Sequence, residues 1–524
     1  MPESLVLTNI GLKGLSTDPA PWSLPPEFIT AGKNYRIFAG SIETDNGIAL
    51  WSTAPAAFFP GHISRVALSS SDFWIICGRS AVYVWDGGLW FDISSVAGYA
   101  GLGADDELLW SQCLLGAIPL INNPQSAPEY WSPQQTAQVM QPLEFSPGVT
   151  WASLLYSAKI LRSHKSFLFA LNLDESGVEF PDSYRWSHPA DINGLPVTWD
   201  ETDPAFLAGK ASLGGDGGAI IDGLSLRDAF CIYSENGINI LDSTNDEFVW
   251  RRRDLSSTVG LLSKDSVVEV KGTHFLMSYG DIVKNDGNKI DSIAHNRIRR
   301  DYSQRIDADF YTRSYALRND INKEIWFCIP ETGETYPNIA YIYNWKDDSW
   351  AVKDLPQDIA HSAAGSYAEA PTTWDSLPAS ETWDLQQIIW NTGGASPIND
   401  TIAGVSPTTE ELWFVDPIGA PMGDLNFEIE RTNFPLGGQR QVTTITRVYP
   451  HIDGEVPVLI QFGSQDYNDA PVRWKPAVEF NPLTDRKLDL RTTGELHCWK
   501  ISSIGQNRLS MSGMTIEYVP AGFR

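Results

Sequence analysis

The sequence predicts a mainly β protein, with a β-propeller-like body followed by a β-sandwich platform domain. A hairpin pattern recurs along the chain: two apolar strand patterns, an acidic turn that contains Gly or Asn, and a Trp just beyond. Its clearest copies are Phe73–Trp90, Phe230–Trp250 and Ile325–Trp350. Short apolar strands that are bounded by turn residues and repeated along a chain are typical of radially repeated all-β folds.

The composition fits this class. Aromatic residues are abundant, with 20 Trp, 18 Tyr and 22 Phe among 524 residues, and such side chains favour the pleated surface of a sheet. The 42 Gly and 33 Pro leave few uninterrupted windows for a helix. Modest helical patterns are confined to Leu385–Trp390 and to a stretch near Asp301–Arg313.

The chain is expected to divide into three parts. Residues 1–40 form an N-terminal segment that joins the platform, residues 41–420 form the propeller body, and residues 425–524 form the sandwich. The boundary is set by the linker Pro417–Asp424, after which apolar and polar residues alternate in Gln441–Tyr449 and Met514–Val519. Because both ends of the chain have strand patterns, we expect them to lie in one sandwich. Near the first boundary, Asp45-Asn46-Gly47 is a hairpin-turn signal.

The net charge of −27 arises entirely before the last domain. Residues 425–524 carry 11 basic and 11 acidic residues, whereas the preceding residues carry 54 acidic and 27 basic ones. Such a surface lacks the clustered Lys and Arg that grip nucleic acid. Two interpretations remain open: simple solubility, or a surface that repels nucleic acid.

Motifs for catalysis, cofactor binding and metal binding are absent from the sequence. There is no HExxH, GxSxG, GxxxxGK(S/T), GxGxxG or CxxC pattern. The five cysteines are widely spaced in apolar strands, so we expect buried free thiols. The eight histidines are scattered, so a metal site would have to be assembled from distant strands. We therefore predict no enzyme activity, no cofactor and no metal.

Targeting signals are also missing. The N-terminus lacks the basic and apolar regions of a secretory signal, and no stretch of about twenty apolar residues predicts a membrane span.

Two kinds of charged run invite a functional interpretation. Asp105-Asp106-Glu107 and Asp347-Asp348 are interpreted as solvated turns rather than acid–base catalysts, because adjacent residues on a turn point apart. The triplet Arg251, Arg252 and Arg253 is the one local basic run. It is either a solvated strand edge, which deters unwanted pairing, or a salt-bridge contact between subunits.

The aromatic turns support two other hypotheses. Exposed Trp beside Asp or Asn is typical of sugar-binding surfaces, and propellers include lectins and glycosidases, whereas Trp that recurs with each hairpin is typical of core rings. A generic intracellular interaction propeller is a third class. Trp-Asp pairs begin at Trp85, Trp199, Trp374 and Trp383, without the regular spacing of about 40–45 residues that such a repeat shows.

The order of several short motifs resembles the tail nozzle, or tail hub, proteins of short-tailed bacteriophages. The N-terminal motifs are Gly14-Leu15, Asp18-Pro19, Leu24-Pro25, Ala31, Asn34, Arg36 and Gly40. The central motifs are Phe167–Asn172, Arg185–Ser187, Lys323–Phe327 and Tyr343–Trp350. The C-terminal motifs are Glu430–Thr432, Ile516–Tyr518 and Gly522–Arg524. The resemblance covers nearly the whole chain, but the chain has no long insertion that would build an extended distal tip.

The resemblance implies a structural virion protein. Such proteins form a hexameric ring below the portal and adaptor, around a channel that conducts the genome and stays closed until infection. For this chain it implies a homohexamer in the virion tail, assembled in the host cytoplasm, that meets portal and adaptor proteins and tail fibre or needle proteins. DNA would pass an acidic wall without specific binding, because the wall repels phosphate. The alternative is a carbohydrate-binding or receptor-binding propeller of the lectin or glycosidase kind.

Overall fold

In a computed structural model, residues 3–523 are described except for residues 39, 68–71, 86–88, 100, 133–138, 193, 216, 245–248, 367–399, 418–424, 438–440, 469 and 505–507. The helical pattern at Leu385–Trp390, the Trp-Asp pairs at Trp374 and Trp383, and the linker Pro417–Asp424 beyond Pro417 lie outside the described residues.

The stretch from Glu3 to Thr53 contributes strands to four different sheets. Its strands are β1 (Glu3–Thr8), β2 (Gly14–Leu15), β3 (Phe28–Ile29), β4 (Ala31–Lys33), β5 (Tyr35–Phe38), β6 (Ser41–Thr44) and β7 (Ala49–Thr53), with a 3₁₀ turn at Pro21–Ser23. The predicted hairpin at Asp45-Asn46-Gly47 is wrong, since the hairpin is formed by β5 and β6. Asp45 and Asn46 are instead buried, because charged and polar partners from the propeller surround them.

The first three blades of the propeller follow in chain order. Blade one consists of β8 (Pro60–Ala67), β9 (Asp72–Gly78), β10 (Val82–Trp85) and β11 (Trp90–Asp92). Blade two consists of β12 (Ser111–Leu115), β13 (Ile118–Asn122), β14 (Glu129–Tyr130) and β15 (Gln141–Pro142), followed by the short pair β16 (Glu144–Ser146) and β17 (Val149–Thr150). Blade three consists of β18 (Tyr156–His164), β19 (Phe167–Glu175), β20 (Val178–Trp186) and β21 (Gly209–Ser212). Two 3₁₀ turns, Asp106–Leu108 and Ala152–Leu154, lie in the connections.

Blades four to seven complete the ring. Blade four consists of β22 (Ile220–Leu226), β23 (Ala229–Ser234), β24 (Ile238–Ser243) and β25 (Trp250–Ser256). Blade five consists of β26 (Val267–Val270), β27 (Thr273–Ser278), β28 (Asp281–Asn285) and β29 (Ile290–Ser292), after which come helix α1 (Arg299–Arg305) and a 3₁₀ turn (Tyr311–Arg313). Blade six consists of β30 (Tyr315–Asn319), β31 (Glu324–Ile329), β32 (Ile339–Asn344) and β33 (Ser349–Asp354). Blade seven consists of β34 (His361–Ser366), β35 (Asp400–Ser406), β36 (Glu411–Phe414) and the N-terminal strand β7.

Seven blades with a four-stranded antiparallel meander are thus found among the described residues, and they form a closed ring, in which blade six is extended at its outer edge by the parallel strands β2 and β3. The first strand of each blade is the innermost, and each inner strand contacts the next, with β34 returning to β8. The ring is closed by β7, which pairs with β36 so that one blade holds strands from both ends of the propeller. The predicted fold class, a mainly β chain with a propeller-like body, is confirmed.

The recurring sequence pattern corresponds to the second, third and fourth strands of a blade. The copies Phe73–Trp90, Phe230–Trp250 and Ile325–Trp350 lie in blades one, four and six. Trp90 and Trp250 begin the outermost strands of their blades, and Trp350 lies in β33, the fourth strand of blade six, with which β2 pairs. The pattern repeats because each copy is one contiguous antiparallel meander, whose strands bury apolar side chains at equivalent positions.

Two more sheets form the sandwich. Its C-terminal strands are β37 (Asn426–Pro435), β38 (Gln441–Gly454), β39 (Val458–Gln465), β40 (Arg473–Trp474), β41 (Val478–Phe480), β42 (Leu488–Gly494), β43 (Leu496–Ile504) and β44 (Leu509–Phe523). One sheet has the order β42-β38-β44-β6-β5, with β1 also paired to β44, and the other has the order β4-β37-β43-β39-β40, with β41 paired to β39. The first strand of the chain therefore pairs with the last. Both sheets share one hydrophobic core with blade six, to which Trp326 and Ile342 belong.

The cysteines follow the sequence prediction. All five are buried free thiols. Burial raises the pKa of Cys113, Cys231, Cys328 and Cys498 to about 12, so the reactive thiolate is scarce at neutral pH.

Gly14 anchors the N-terminal segment to blade six, and its replacement tests that contact. Gly14 pairs with Trp350, has φ of +71°, and a Cβ built there would lie 1.9 Å from the Trp350 carbonyl oxygen. Gly14→Ala is therefore expected to lower the free energy of unfolding by more than the roughly 1–2 kcal/mol that a left-handed alanine costs. Gly177→Ala is the matched control, because Gly177 has φ of +82° but open space around it. Equal losses in chemical denaturation would show that the contact with Trp350 is unimportant.

Candidate functional site

The axis of the propeller holds two cavities. The larger, of about 620 Å³, is lined by the later residues of the inner strands, and the smaller, of about 480 Å³, by their first residues and the preceding loops. His62, Asp265 and His361 line both cavities, so they separate the two. The axis is therefore closed midway by polar side chains, and these form the candidate site.

An axial ion network of Arg162, Asp222, Lys264 and Asp265 occupies one side of this closure. Arg162 donates through Nε and Nη2 to the two carboxylate oxygens of Asp222, each at 2.8 Å, and through Nη2 to Asp265 Oδ1 at 2.6 Å. Lys264 Nζ lies 3.3 Å from Asp265 Oδ2 and donates to the carbonyls of Leu108 and Trp110. Two cations face two carboxylates, so the network is neutral as a whole.

A histidine pair completes the closure. His62 from β8 and His361 from β34 lie with ring centroids 4.2 Å apart. His361 Nδ1 donates to the Ile63 carbonyl at 3.1 Å, and its Nε2 lies 3.8 Å from Asp265 Oδ2. Burial lowers the pKa of His361 to about 4 and that of His62 well below its usual value, with Lys264 adding to both effects. Both rings are therefore neutral at pH 7.

No motif in the sequence predicts the axial closure. The residues of the axial closure come from blades one, three, four, five and seven and are separated by up to about three hundred positions. The scattered histidines did indicate that any metal site would draw on distant strands, but nothing in the local sequence identified His62 and His361.

A second buried cluster joins the sandwich to the propeller, and we call it the junction cluster. Arg36 of β5 pairs with Glu324 at 2.8 Å, with Asp416 at 2.6 Å and with Asp45 at 3.2 Å. Lys353 of β33, which is wholly buried, pairs with Asp45 at 3.1 Å. Charges from the N-terminal segment, from blade six and from the residues after blade seven therefore meet in one buried place.

Amide and indole groups add hydrogen bonds to Asp416 and Glu324 of the junction cluster, whereas Asp45 Oδ2 is buried without one. Asn46 Nδ2 donates to Asp416 Oδ1 at 2.7 Å, and Asn319 and Asn322 donate to Asp416 Oδ2 at 3.3 Å each. Trp326 Nε1 donates to Glu324 Oε2 at 3.1 Å. Because Asp416 also lines the larger axial cavity, the junction forms part of the wall of that cavity.

Glu324 has the most informative protonation state of the cluster. Burial raises its pKa to about 7, and the repulsion from Asp416 and Asp45 adds to this, while Arg36 acts in the opposite direction. Three carboxylates face two cations, so the cluster becomes neutral when Glu324 takes up a proton.

The predicted basic triplet lies at the outer edge of the propeller. Arg251, Arg252 and Arg253 are exposed on β25, the outermost strand of blade four. Arg253 donates through Nε to Asp242 at 2.8 Å and through Nη1 to the Gly287 carbonyl at 2.8 Å. Arg252 donates to the Ser212 carbonyl at 3.1 Å. The triplet is thus separate from the axial closure, and two of its members bridge neighbouring blades.

The prediction that Asp105-Asp106-Glu107 is a solvated turn is wrong for Glu107. Asp105 is exposed, but Glu107 is buried rather than solvated. Arg79 donates to both of its carboxylate oxygens, at 2.6 and 3.0 Å, because the chain folds back so that the guanidinium meets it. The Glu107 backbone is also packed closely against Gly61, next to His62.

The Trp residues near the turns are mostly core residues. Trp74, Trp326 and Trp350 are almost completely inaccessible to solvent. Edge-to-face and tilted ring contacts join Trp51, Trp74 and Trp85 within one cluster. The buried rings therefore pack blades together and offer no exposed face to a sugar.

Comparison with known proteins is confined to structure. No family model and no curated protein matches this sequence. Solved structures that resemble the chain include PorZ, an essential bacterial surface component of the type-IX secretion system of Porphyromonas gingivalis, at 11% identity and a TM-score of 0.33, with 83% of this chain and 47% of that one covered. This chain therefore spans about half the length of PorZ.

Two other solved structures resemble the chain at a similar level. The Pan2 WD40 domain of Neurospora crassa has 7% identity and a TM-score of 0.36, with 71% of this chain and 95% of that one covered. An exo-β-1,3-galactanase from Phanerochaete chrysosporium has 8% identity and a TM-score of 0.28, with 90% of this chain and 100% of that one covered. At these values the activities of those proteins do not transfer to this chain. Within the described residues, no helix has the length and apolar character needed to cross a membrane.

The protonation of Glu324 gives a pH-dependent prediction. Its pKa rises from a usual value of 4.5 to about 7 on folding, so its contribution to stability is full below pH 4.5 and is lost as the pH rises through 7. Glu324→Gln keeps the neutral form at every pH. The variant is expected to gain stability relative to wild type between pH 5 and pH 8, by on the order of 3 kcal/mol, in denaturant titrations.

The control for this experiment is Glu334→Gln, which makes the same substitution at an exposed position of the same blade. A difference between wild type and Glu324→Gln that does not change with pH would show that Glu324 stays ionised in the folded protein.

Proposed function

We propose that this chain is a structural, non-enzymatic subunit of a short bacteriophage tail, a nozzle protein that forms a homohexameric ring. In this proposal the ring docks on the portal and adaptor and provides the closed, acidic channel through which the genome leaves. The observation that carries the proposal is the location of the N-terminal and C-terminal motifs by which the sequence resembles nozzle proteins, because they meet around the junction of propeller and sandwich, whereas Phe167–Asn172 and Arg185–Ser187 lie in blade three.

The N-terminal motifs reach the junction first. Gly14 pairs with Trp350 of blade six. Asn34 Nδ2 donates to Asp354 Oδ2 and to the Asn426 carbonyl, each at 2.9 Å. Arg36 is the centre of the junction cluster. Residues of one N-terminal signature therefore bind blade six and the first strand of the sandwich together.

The C-terminal motifs meet the same region from the other side. Glu430 pairs in register with Ala31, and Arg431 donates through Nη2 to the Leu24 carbonyl at 2.6 Å. Ile516 pairs in register with Leu5 of the first strand. The N-terminal and C-terminal motifs thus meet at one structural joint rather than at a catalytic centre, which supports a structural role.

The charge distribution supports the same role. The axial ion network is neutral, and the junction cluster is neutral once Glu324 is protonated, so the acidic surplus lies elsewhere on the propeller. In a ring, an acidic wall would let a duplex pass without being held, since each contact of Lys or Arg with phosphate adds affinity. Because the axis of the propeller is itself closed, the genome channel in this proposal is the space enclosed by the ring of subunits.

The basic triplet supplies a candidate contact between subunits. Six subunits with an acidic surplus repel one another, so their interfaces need cations. Arg251 and Arg252 are exposed on an edge strand of the propeller, where a neighbouring acidic surface can approach. Rim charges of this kind act mainly on assembly rate and on its dependence on salt.

This proposal is tested in the virion. Mass spectrometry of purified particles of the parent phage is expected to find this chain in the tail at the copy number of a hexameric ring. Arg251→Glu with Arg252→Glu is expected to reduce incorporation into tails, more strongly at low than at high salt, without changing the thermal unfolding of the isolated chain. Lys284→Glu with Lys346→Glu changes the charge equally at exposed positions of blade five and of the β32–β33 turn. Absence of the chain from the particle would refute the proposal, and equal incorporation of both double variants would refute the role of the triplet.

A second candidate function is supported by the smaller axial cavity. Its mouth carries Tyr279, Tyr311 and Tyr336, and the rings of Tyr279 and Tyr311 meet at 5.8 Å and 62°. Arg313 lies over the Tyr336 ring at 5.0 Å and pairs with Asp105 at 3.2 Å. Aromatic rings beside charged groups in a concave site suit a sugar or a receptor side chain. A carbohydrate-binding or receptor-binding propeller is therefore the alternative proposal.

The alternative is tested by ligand binding. If it holds, the purified chain binds defined oligosaccharides on a glycan array, and Tyr311→Ala weakens this binding by about fivefold or more, since a stacked ring supplies roughly 1 kcal/mol. Tyr467→Ala is the control, because Tyr467 is exposed on the sandwich, far from the cavity in the sequence and outside its lining. Absence of glycan binding, or an equal effect of both substitutions, would refute the alternative.

A further inference from the structure

The closure of the propeller axis contains polar atoms that lack partners. His62 is 4% exposed, and its Nε2 is buried without a hydrogen bond. Asp265 Oδ2 is likewise buried without a hydrogen bond, although Lys264 lies 3.3 Å away. A buried nitrogen or oxygen of this kind costs about 1–3 kcal/mol unless something satisfies it. Both atoms point into the same space between the two cavities.

The tautomer of His361 adds a third atom to that space. Its Nδ1 donates to the Ile63 carbonyl, so in the neutral ring the proton is on Nδ1 and Nε2 carries a lone pair. That lone pair faces Asp265 Oδ2 at 3.8 Å, and the carboxylate oxygen offers only lone pairs in return. Two acceptors that face each other need a positive ion or a proton between them.

We propose that His62 Nε2, His361 Nε2 and Asp265 Oδ2 bind a divalent transition-metal ion of the zinc class on the propeller axis. One candidate ligand atom from each of these three residues lies within 4.8 Å of the other two, and His361 Nε2 lies 3.8 Å from Asp265 Oδ2. Two imidazoles and one carboxylate suit zinc, and the carbonyl that holds His361 Nδ1 is the outer partner that metal-binding histidines usually have. The site is independent of the function proposed above.

The geometry requires only a small closure around the ion. Metal–ligand bonds of about 2.0–2.2 Å place tetrahedral ligands roughly 3.4 Å apart, so the side chains must approach by about 1 Å. Three protein ligands leave a fourth position, and the larger cavity of about 620 Å³ adjoins it. The ion would bridge blades one, five and seven across the axis, which ties blade five to the neighbouring pair of blades one and seven.

The charges around the site set its affinity. Lys264 and Arg162 both approach Asp265, and each repels a second cation. Although burial alone would raise the pKa of Asp265, these two cations lower it well below its usual value, so the carboxylate is ionised and available. Both histidines are neutral at pH 7, and so available as metal ligands, because burial disfavours their charged forms. The expected affinity is therefore weaker than that of a structural zinc site, and it should increase when Lys264 loses its charge.

Zinc titration of the full chain tests the proposal. Isothermal titration with Zn²⁺ alone is expected to give one site, and Co²⁺ is expected to give the visible absorption of a tetrahedral complex. His62→Gln and His361→Gln should each weaken Zn²⁺ binding by about 100-fold or more. Lys264→Gln keeps a hydrogen-bond donor for the Leu108 and Trp110 carbonyls but removes the charge, so it should tighten binding by at least about tenfold.

Controls separate a site from incidental binding and from misfolding. His295→Gln changes an exposed histidine outside the axis and should bind Zn²⁺ as wild type does. Zn²⁺ should raise the unfolding temperature of wild type and of Lys264→Gln but not that of the His62 and His361 variants, whose unfolding without metal is measured first. Absence of Zn²⁺ binding in wild type, equal binding by His62→Gln, or weaker binding by Lys264→Gln would each overturn the proposal.

Discussion

The buried salt bridges of Arg36 are the interaction on which the rest of the structure depends. This guanidinium is supplied by the sandwich strand β5, and its partners lie at the start of β31 in blade six and just after the last strand of blade seven. Taking these charges out of water is costly, and only their mutual attraction offsets the cost, so removal of one partner leaves the others unpaired at about 3–5 kcal/mol. Because each buried charge must keep its partners, the cluster permits few orientations of the sandwich relative to the propeller. A hydrophobic contact alone would not impose this restriction.

The closure of the propeller ring imposes the second constraint, because it pairs two strands that lie far apart in the sequence. Each blade is a contiguous meander, yet the last blade is completed by β7 from the N-terminal side of the propeller. The residues between β7 and the sandwich strand β6 include Asp45 and Asn46, which are held in the junction cluster. Ring closure and attachment of the sandwich therefore rely on the same short stretch of chain, and a change in one is transmitted to the other.

The sequence predicts the parts of this molecule that are local in the chain. The hairpin copies, the cysteines in buried strands and the helical stretch near Asp301–Arg313 are visible because a strand or helix carries its own period of apolar residues. The hairpin signal at Asp45-Asn46-Gly47 misleads, since the turn propensity of those residues is overridden by partners 307 and 370 positions from Asn46. The axial site is invisible for a related reason: its residues come from different inner strands, and no local pattern marks which residue of a strand faces the axis.

Each of the two buried polar clusters leaves a carboxylate oxygen without a hydrogen bond, Asp45 Oδ2 in the junction cluster and Asp265 Oδ2 in the axial closure, but in the axial closure two histidines lie beside it. In the junction cluster, amides and an indole complete the hydrogen bonding of Asp416 and Glu324, and a proton on Glu324 balances the charge. In the axial closure, Arg162 and Lys264 balance two carboxylates, but His62 Nε2 and Asp265 Oδ2 keep unused lone pairs. A polar network that only supports a fold gains nothing from such vacancies, because each one costs stability. The axial closure, where His62 and His361 adjoin Asp265, is consequently a place where one bound cation would satisfy several of these atoms together.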